Sequence, residues 1–212
     1  MTGITHHIPD DLLMSYAAGT LPHAFSVVVA AHVSMCDECR ARLAAHECAG
    51  GVVLDGLTPQ LVSNDLRDRV FASLDDAPPP EPVRHARSGV YPGPVMEALK
   101  GKPPKWKRLG MGTRQTILSD DDEGSVRLLY IPAGQAVPDH GHNGLELTLV
   151  LQGAFRDDTG YFGVGDLEVA DAELEHTPIA EPGADCICLA ATDASLKFNA
   201  FMPRLLQPLF RI

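Results

Sequence analysis

The 212-residue sequence predicts a multidomain α + β fold, in which a small all-α helical bundle is followed by an all-β barrel. Two observations predict it. Apolar residues recur at helical spacing up to residue 76, whereas from residue 113 onward they alternate or form short β-branched runs. Between these parts, at 77–112, eight prolines oppose both helices and central strands. We therefore expect domains at 1–76 and 113–212, joined by a Pro-rich basic linker at 77–112 that acts as an extended tether.

The net charge of −11 is distributed unevenly along the chain. Residues 1–76 carry −6 and residues 113–212 carry −10, whereas the linker carries +5. The two acidic parts lack the clustered Lys and Arg that phosphate contacts need, so we expect no direct binding to nucleic acid. A basic protein partner is favoured instead.

The sequence has no segment that resembles a membrane span or a targeting signal. No stretch approaches the roughly 20 apolar residues of a span, and the start of the chain lacks the basic-then-apolar order of a signal peptide. We expect a cytoplasmic protein that does not contact a membrane. Its five cysteines should then be reduced, which favours metal binding or redox sensing over structural disulfides.

Helix start and stop signals predict four short helices in the first part of the chain. They are bounded by Pro9 and Gly19, by Pro22 and His32, by Asp37 and the Gly50-Gly51 pair, and by Ser63 and Leu74. Because few apolar residues lie between these helices, we expect a thin core that a bound metal would stabilise.

The stretch HVSMCDEC supplies three ligands at the predicted junction of the second and third helices. His32 and Cys36 are four residues apart, and Cys39 lies one turn into the next helix. A structural zinc site needs a fourth ligand. The candidates are His6, His7, His23, His46 and Cys48, of which His7 and its neighbour His6 lie where the chain start can fold back. The alternatives are a merely buried cysteine pair and a thioredoxin-like redox pair, which should follow a strand.

A His followed, after 24 residues, by H-x-x-x-C-x-x-C in a small acidic helical domain resembles the zinc-binding anti-sigma domain of bacteria. The resemblance covers about the first 75 positions, and His7, His32, Cys36 and Cys39 match its pattern. It implies that the helices wrap an extracytoplasmic-function (ECF) sigma factor and block its contacts with RNA polymerase core. His23, His46 and Cys48 match nothing in the pattern, so we expect them to be ordinary helix residues.

The second part of the chain contains five runs typical of strands. These runs are RQTIL, VRLLYI, LELTLVLQG, DLEVA and DCICLAAT, separated by Gly, Asp, Pro and Asn. An all-β sandwich or barrel is therefore predicted.

Residues 134–153, GQAVPDHGHNGLELTLVLQG, predict a second metal site. His140 and His142 project to the same side of an extended strand, Glu146 follows, and His176 lies on a later strand. These ligand types suit Zn, Fe, Mn or Ni. The spacing G-x5-H-x-H-x3-E-x6-G resembles the first signature of the cupin superfamily, with His176 in place of the histidine of its otherwise degenerate second signature. The resemblance implies a metal-binding jelly-roll barrel; a metal-free cupin is the alternative.

Cys186 and Cys188 alternate on one predicted strand and therefore point the same way. We expect them to pack as small apolar core residues. The alternative is that they lie near the metal and are oxidised by a reactive species.

The pairing of the two domains resembles the ChrR-type anti-sigma factors over nearly the whole chain, including LELTLVLQGAFRD and DCICLAATDA. The resemblance implies a non-enzymatic regulator that binds an ECF, RpoE-like sigma factor in a 1:1 complex through a structural zinc domain. It also implies release in response to singlet oxygen or oxidative stress through the cupin, which holds Zn or another divalent metal. The alternatives are a cupin dioxygenase with an accessory zinc domain, and a redox sensor whose Cys36–Cys39 pair forms a disulfide and releases zinc.

Overall fold

A computed structural model of the chain describes residues 3–74, 83–137, 140–141, 144–171, 175–193 and 197–198. The helices are α1 (Asp10–Ala17), α2 (His23–Val33), α3 (Asp37–Asp55), α4 (Leu66–Ser73) and α5 (Gly93–Ala98). The strands are β1 (Lys107–Gly110), β2 (Thr113–Asp121), β3 (Gly124–Ile131), β4 (His140–Gly141), β5 (Glu146–Gln152), β6 (Phe155–Arg156), β7 (Tyr161–Phe162), β8 (Leu167–Ala170), β9 (Glu175–His176), β10 (Ile179–Ala180), β11 (Cys186–Thr192) and β12 (Lys197–Phe198). Helices followed by β-sheets confirm the predicted order. Within the described ranges, no helix has the length and apolar character needed to cross a bilayer.

The first two helices begin and end close to the predicted residues, but α3 differs at both ends. It begins after Cys36, whose Sγ accepts a hydrogen bond from the backbone N–H of Cys39, so the prediction that Asp37 caps this helix is wrong. It also continues through Gly50 and Gly51 to Asp55, where a stop was predicted. Each helical glycine costs only about 1 kcal/mol relative to alanine, which the hydrogen bonds of a 19-residue helix offset.

The strands form three antiparallel sheets. The large sheet has the order β1-β2-β3-β11-β5-β8, so that β11 lies between β3 and β5. The two small sheets have the orders β10-β6-β7 and β12-β4-β9. These are the sheets of a jelly roll, although a closed barrel is not formed among the residues that the structure describes.

The large sheet has two apolar faces. Its outer face, including Leu147, Leu149 and Leu189, belongs to the same buried cluster as Phe25 and Val28 of α2. Helix α2 contacts β3, β5 and β11 directly. The inner face belongs to a second cluster, of Ile131, Val150, Phe155, Phe162, Ala180, Cys186 and Cys188. The helices and the sheet therefore share one core, where the sequence predicted a separate core made by four helices.

The described part of the predicted linker is packed rather than extended. Helix α5 places Val95, fully buried, in the cluster that contains α2, and β1 pairs with β2. Pro94 is tolerated because it lies in the first helical turn, where a backbone N–H would have no hydrogen-bond partner within the helix. The division of the chain into independent domains at residues 76 and 113 stays a prediction.

Candidate metal centres

The structure brings His7, His32, Cys36 and Cys39 together at the junction of α2 and α3. Each offers one ligand atom, and these atoms all lie within 4.8 Å of one another. Nδ1 of His7 is 3.3 Å from Sγ of Cys36 and 3.6 Å from Sγ of Cys39. Zinc bonds of 2.0–2.3 Å in tetrahedral geometry separate ligand atoms by about 3.3–3.8 Å, so this cluster could bind a metal.

The missing hydrogen bonds and the shifted pKa values of the buried ligands are consistent with a bound metal. His32 is fully buried, and neither of its ring nitrogens has a hydrogen-bond partner among the described residues, which is unfavourable unless another group engages them. Burial, and then the neighbouring His7, lowers the pKa of His32 to about 4, so its lone pair is available at neutral pH. Burial raises the pKa of the Cys39 thiol, an effect that a bound cation reverses because it binds the thiolate.

A carboxylate outside the cluster orients His7. Nε2 of His7 lies 3.3 Å from Oε2 of Glu38, which leaves Nδ1 facing the two sulfur atoms. Metal-binding histidines commonly contact a carboxylate through the second ring nitrogen in this way. Glu38 was not predicted from the sequence, although its position between the two cysteines places it in the first turn of α3.

The other fourth-ligand candidates lie outside the cluster. The ring of His6 packs against Phe162, with 4.4 Å between ring centroids, because neighbouring residues of an extended segment point to opposite sides. His46 instead contacts Asp10, with 3.3 Å between Nε2 and Oδ1, and Cys48 is exposed on α3.

The predicted cupin ligands are described only in part. His140 of β4 is the register partner of His176 on β9, which brings their backbones side by side. The side chain of His140 and the whole of His142 lie outside the described residues. Glu146 begins β5, and its Oε1 accepts a hydrogen bond of 3.0 Å from Thr148. The set of four ligands stays a prediction.

The structure adds two carboxylates beside His176 that sequence reasoning missed. Nδ1 of His176 lies 2.5 Å from Oδ2 of Asp157 and 3.3 Å from Oε1 of Glu168, and none of the three side chains is more than 5% exposed. Together they form a second group that could hold or orient a metal ligand. Asp157 has no sequence signal, whereas the charged Glu168 inside the apolar run DLEVA could have indicated an inward-facing polar group.

These three groups shift one another's pKa. Burial raises the pKa of Glu168 to about 7. Burial opposes the ionised form of Asp157, but hydrogen bonds with Glu168, Thr159 and His176 outweigh it and lower its pKa to about 2. Burial likewise opposes the charged form of His176, but Glu168 and Asp157 outweigh it and raise its pKa to about 9. Without a metal, the cluster is therefore a buried ion pair.

Cys186 and Cys188 are fully buried on the inner face of the large sheet, as the core interpretation predicts. Their sulfur atoms are 3.5 Å apart, and both thiols are free. The hydrogen bond with Cys186, and then burial, raises the pKa of Cys188 well above its usual range. This thiol therefore does not carry the thiolate character of a reactive cysteine.

Comparisons with known proteins agree with these features. A domain family described as the ChrR Cupin-like domain matches residues 98–195. The curated Anti-sigma-E factor ChrR of Cereibacter sphaeroides is 55% identical over 212 residues, which cover 99% of each chain. This chain belongs to the ChrR family of anti-sigma factors. A crystal structure of Rhodobacter sphaeroides SigE in complex with the anti-sigma ChrR matches with a TM-score of 0.79 and 54% identity, covering 90% of this chain and 99% of that chain.

Membership of the ChrR family confirms the predicted resemblance and the predicted fold class of helices followed by a cupin domain. The ChrR relatives are regulators by name. Their similarity over the full chain favours a regulator over a cupin enzyme.

Proposed function

We propose that this chain is a cytoplasmic anti-sigma factor that holds an ECF, RpoE-like sigma factor in a 1:1 complex. It releases the sigma factor under oxidative stress, including singlet oxygen. The observation that carries the proposal is the 55% identity with Anti-sigma-E factor ChrR over the full chain. The related ChrR was crystallised in complex with SigE, which supports the same class of partner here.

An exposed apolar segment provides a surface for this partner. We call residues 52–74, which comprise the end of α3, the following loop and α4, the apolar arm. Its exposed large apolar residues are Val52, Val53, Leu54, Leu57, Leu61, Val62, Val70, Phe71 and Leu74. Helix α4 has no buried residue at all. Because contiguous exposed apolar surface of this kind marks protein interfaces, we assign the arm to sigma-factor binding.

A zinc ion at the first site would fix the direction of the arm. Cys36 caps α3 and Cys39 lies in its first turn, while His32 lies in the last turn of α2 and His7 precedes α1. A tetrahedral ion at this point would link the three helices. It would also bind one ring nitrogen of the buried His32, which has no hydrogen-bond partner among the described residues. The same helix α3 continues into the arm, so its orientation follows from the metal site.

The cupin site is positioned to affect the helices through the shared core. We propose a divalent metal held by His140, His142, Glu146 and His176. On β11, Cys186 and Cys188 face the interior, while Ile187 and Leu189 face the helices. Only the thickness of β11 therefore separates the interior of the cupin from α2. A chemical change in that interior would release the partner only if it altered the free energy of the bound state.

Co-expression with an ECF, RpoE-like sigma factor tests the binding function. We expect a 1:1 complex on size-exclusion chromatography, with a zinc ion that Cys36→Ser removes. Cys48→Ser is the matched control, because Cys48 is exposed and lies outside the cluster. Failure of the wild-type chain to co-purify with the sigma factor would contradict the proposal.

A sigma-dependent reporter strain tests the release function. The double variant His140→Ala, Glu146→Ala should still inhibit the sigma factor but should not release it when a photosensitiser is illuminated. A double variant that responds like the wild type would remove the cupin metal site from the sensing mechanism.

A further inference from the structure

The start of the chain is hydrogen-bonded to the β-sheet part of the molecule, residues 107–198, which we call the cupin half. Most of these bonds are made by one carboxylate, that of Asp166. Oδ1 of Asp166 accepts hydrogen bonds from the backbone N–H groups of Thr5, at 2.7 Å, and of His6, at 2.9 Å. The next residue of the cupin half, Leu167, donates its N–H to the carbonyl oxygen of His6 at 3.2 Å. The hydroxyl of Thr5 also donates to Oδ1 of Asp166, at 3.2 Å, so four hydrogen bonds join positions that are 160 or 161 residues apart in sequence.

Asp166 is itself held rigidly in the turn between β7 and β8. Its other oxygen, Oδ2, accepts a hydrogen bond of 2.8 Å from the N–H of Gly163, and its own N–H donates to the Gly163 carbonyl at 2.9 Å. The side chain is only 7% exposed. Both carboxylate oxygens are therefore used, one within the turn and one toward the chain start, and the acceptor is in place before the chain start binds.

Side-chain packing reinforces these hydrogen bonds. Ile4 lies over Gly165, where a Cβ atom would be 2.6 Å from the Ile4 side chain, so the close approach requires glycine. The His6 ring lies over Phe162 of β7. The segment of residues 4–6 is consequently held on the cupin turn by the side chains of Ile4 and His6 as well as by its backbone.

The residue that follows this segment is His7, the one member of the first metal cluster that does not belong to the junction of α2 and α3. His32, Cys36 and Cys39 are fixed by the junction of α2 and α3. Ordering one residue outside helices and strands costs about 1–2 kcal/mol in backbone entropy, so a metal ligand on such a segment binds more tightly when its backbone is already held.

We propose that Asp166 is a positioning residue for the metal ligand His7, so that zinc affinity in the helical half depends on a side chain of the cupin half. The inference rests on the zinc site proposed above. The turn at Gly163–Asp166 would hold the backbone that precedes His7, which neither the cupin ligands nor the cysteine motif does. Loss of a group that orients a metal ligand typically weakens metal binding 10- to 100-fold.

The test is zinc affinity measured on the full chain by competition with a chromophoric chelator. Asp166→Ala should weaken zinc binding 10- to 100-fold, and Asp166→Asn should weaken it less, because its amide oxygen still accepts from Thr5 and His6. Cys36→Ser should abolish the zinc binding that is measured, which would show that the titration follows the first metal site and not the cupin site. Asp185→Ala is the matched control: Asp185 also anchors a cupin turn, by accepting from the N–H of Ala133, but it contacts no residue of the chain start.

Thr5→Pro breaks the same contact from the other side without changing any cupin residue, because it removes both the backbone N–H and the hydroxyl with which Thr5 donates to Asp166. It should weaken zinc binding, and combining it with Asp166→Ala should give less than the sum of the two effects. Unchanged zinc affinity in Thr5→Pro and in folded Asp166→Ala would overturn the inference and leave the zinc site standing. A wild-type chain that binds no zinc dependent on Cys36 would instead overturn the site and, with it, the inference.

Discussion

Helices α2 and α4 carry apolar residues at similar spacing, yet they have opposite environments. Six of the eleven residues of α2 are buried, between the other helices and the large sheet, whereas none of the eight residues of α4 is buried. The difference shows that the helical half contains two kinds of apolar surface. One kind stabilises the chain, and the other is available to a partner.

The largest effect should come from placing a charge in the shared core. Val28→Asp on α2 puts a carboxylate at a fully buried position in the cluster that joins helices and sheet. We expect a loss of more than about 4 kcal/mol in the free energy of unfolding, enough to unfold helices and cupin together. Thermal unfolding followed by circular dichroism measures this.

The matched substitution is Val70→Asp on the exposed helix α4, which should change stability by less than about 0.5 kcal/mol. If Val28→Asp left the cupin folded while the helices unfolded, the two halves would not share a core.

Loss of zinc should have the next largest effect, confined to part of the helical half. In Cys39→Ser, α1 and α3 should lose protection from hydrogen exchange because their metal link is gone. Helix α2 should keep its protection, since the sheet still covers it. If the four helices alone formed the core, as the sequence predicted, we would instead expect the whole domain to unfold. Loss of protection in α2 to the same extent as in α3 would restore that expectation.

A substitution in the apolar arm should weaken partner binding without affecting stability. Phe71 is 58% exposed, so Phe71→Ala removes little from the folded chain. At an interface, such an aromatic truncation costs about 2 kcal/mol, which corresponds to a roughly 30-fold weaker dissociation constant for the sigma factor. Arg69→Ala on the same helix is the control, because its ion pair with Asp65 is exposed. Equal effects of the two substitutions would argue against the arm as the binding surface.

The smallest effect should be a pH dependence that belongs to the cupin half. In metal-free protein, the raised pKa of Glu168 contributes stability that is lost between about pH 4.5 and 7, and that of His176 contributes stability lost between about pH 6.5 and 9. The wild type should therefore lose its advantage over Glu168→Gln as pH rises from 6 to 9, measured as melting temperature in chelator, because this variant removes the group that contributes most to the raised pKa of His176. A constant difference between the two across this range would show that the cluster does not titrate with folding.

The sequence predicted which residues meet in the first cluster better than it predicted those around His176, for a physical reason. His32, Cys36 and Cys39 lie within one helix junction, so their spacing alone determines their proximity. His7 needed the resemblance, because the chain start could place either His6 or His7 at the junction. Asp157 and Glu168 meet His176 only through the pairing of distant strands, which no local spacing encodes.

Similar reasoning explains the fold. The periods of two and 3.6 residues predicted α1, α2 and the long strands. They did not predict that α2 packs on β3, β5 and β11, because helical periodicity shows that a face is buried but not what covers it. Nor did proline content predict α5, since a proline in a first turn is compatible with a helix.

The hydrogen bonds between the chain start and Asp166 also set an order of events during synthesis. The bonded residues His6 and Asp166 are 160 positions apart. At about 5–20 residues per second, a ribosome makes the second roughly 8–32 s after the first. In the later part of that interval, after residue 74 has been made, the helices and the cysteine pair are present without the carboxylate that seats the chain start. A nascent chain therefore passes through a stage in which the apolar arm is complete and the link to the cupin is not, so the surface that we propose for the partner exists before the cupin can contact the helices.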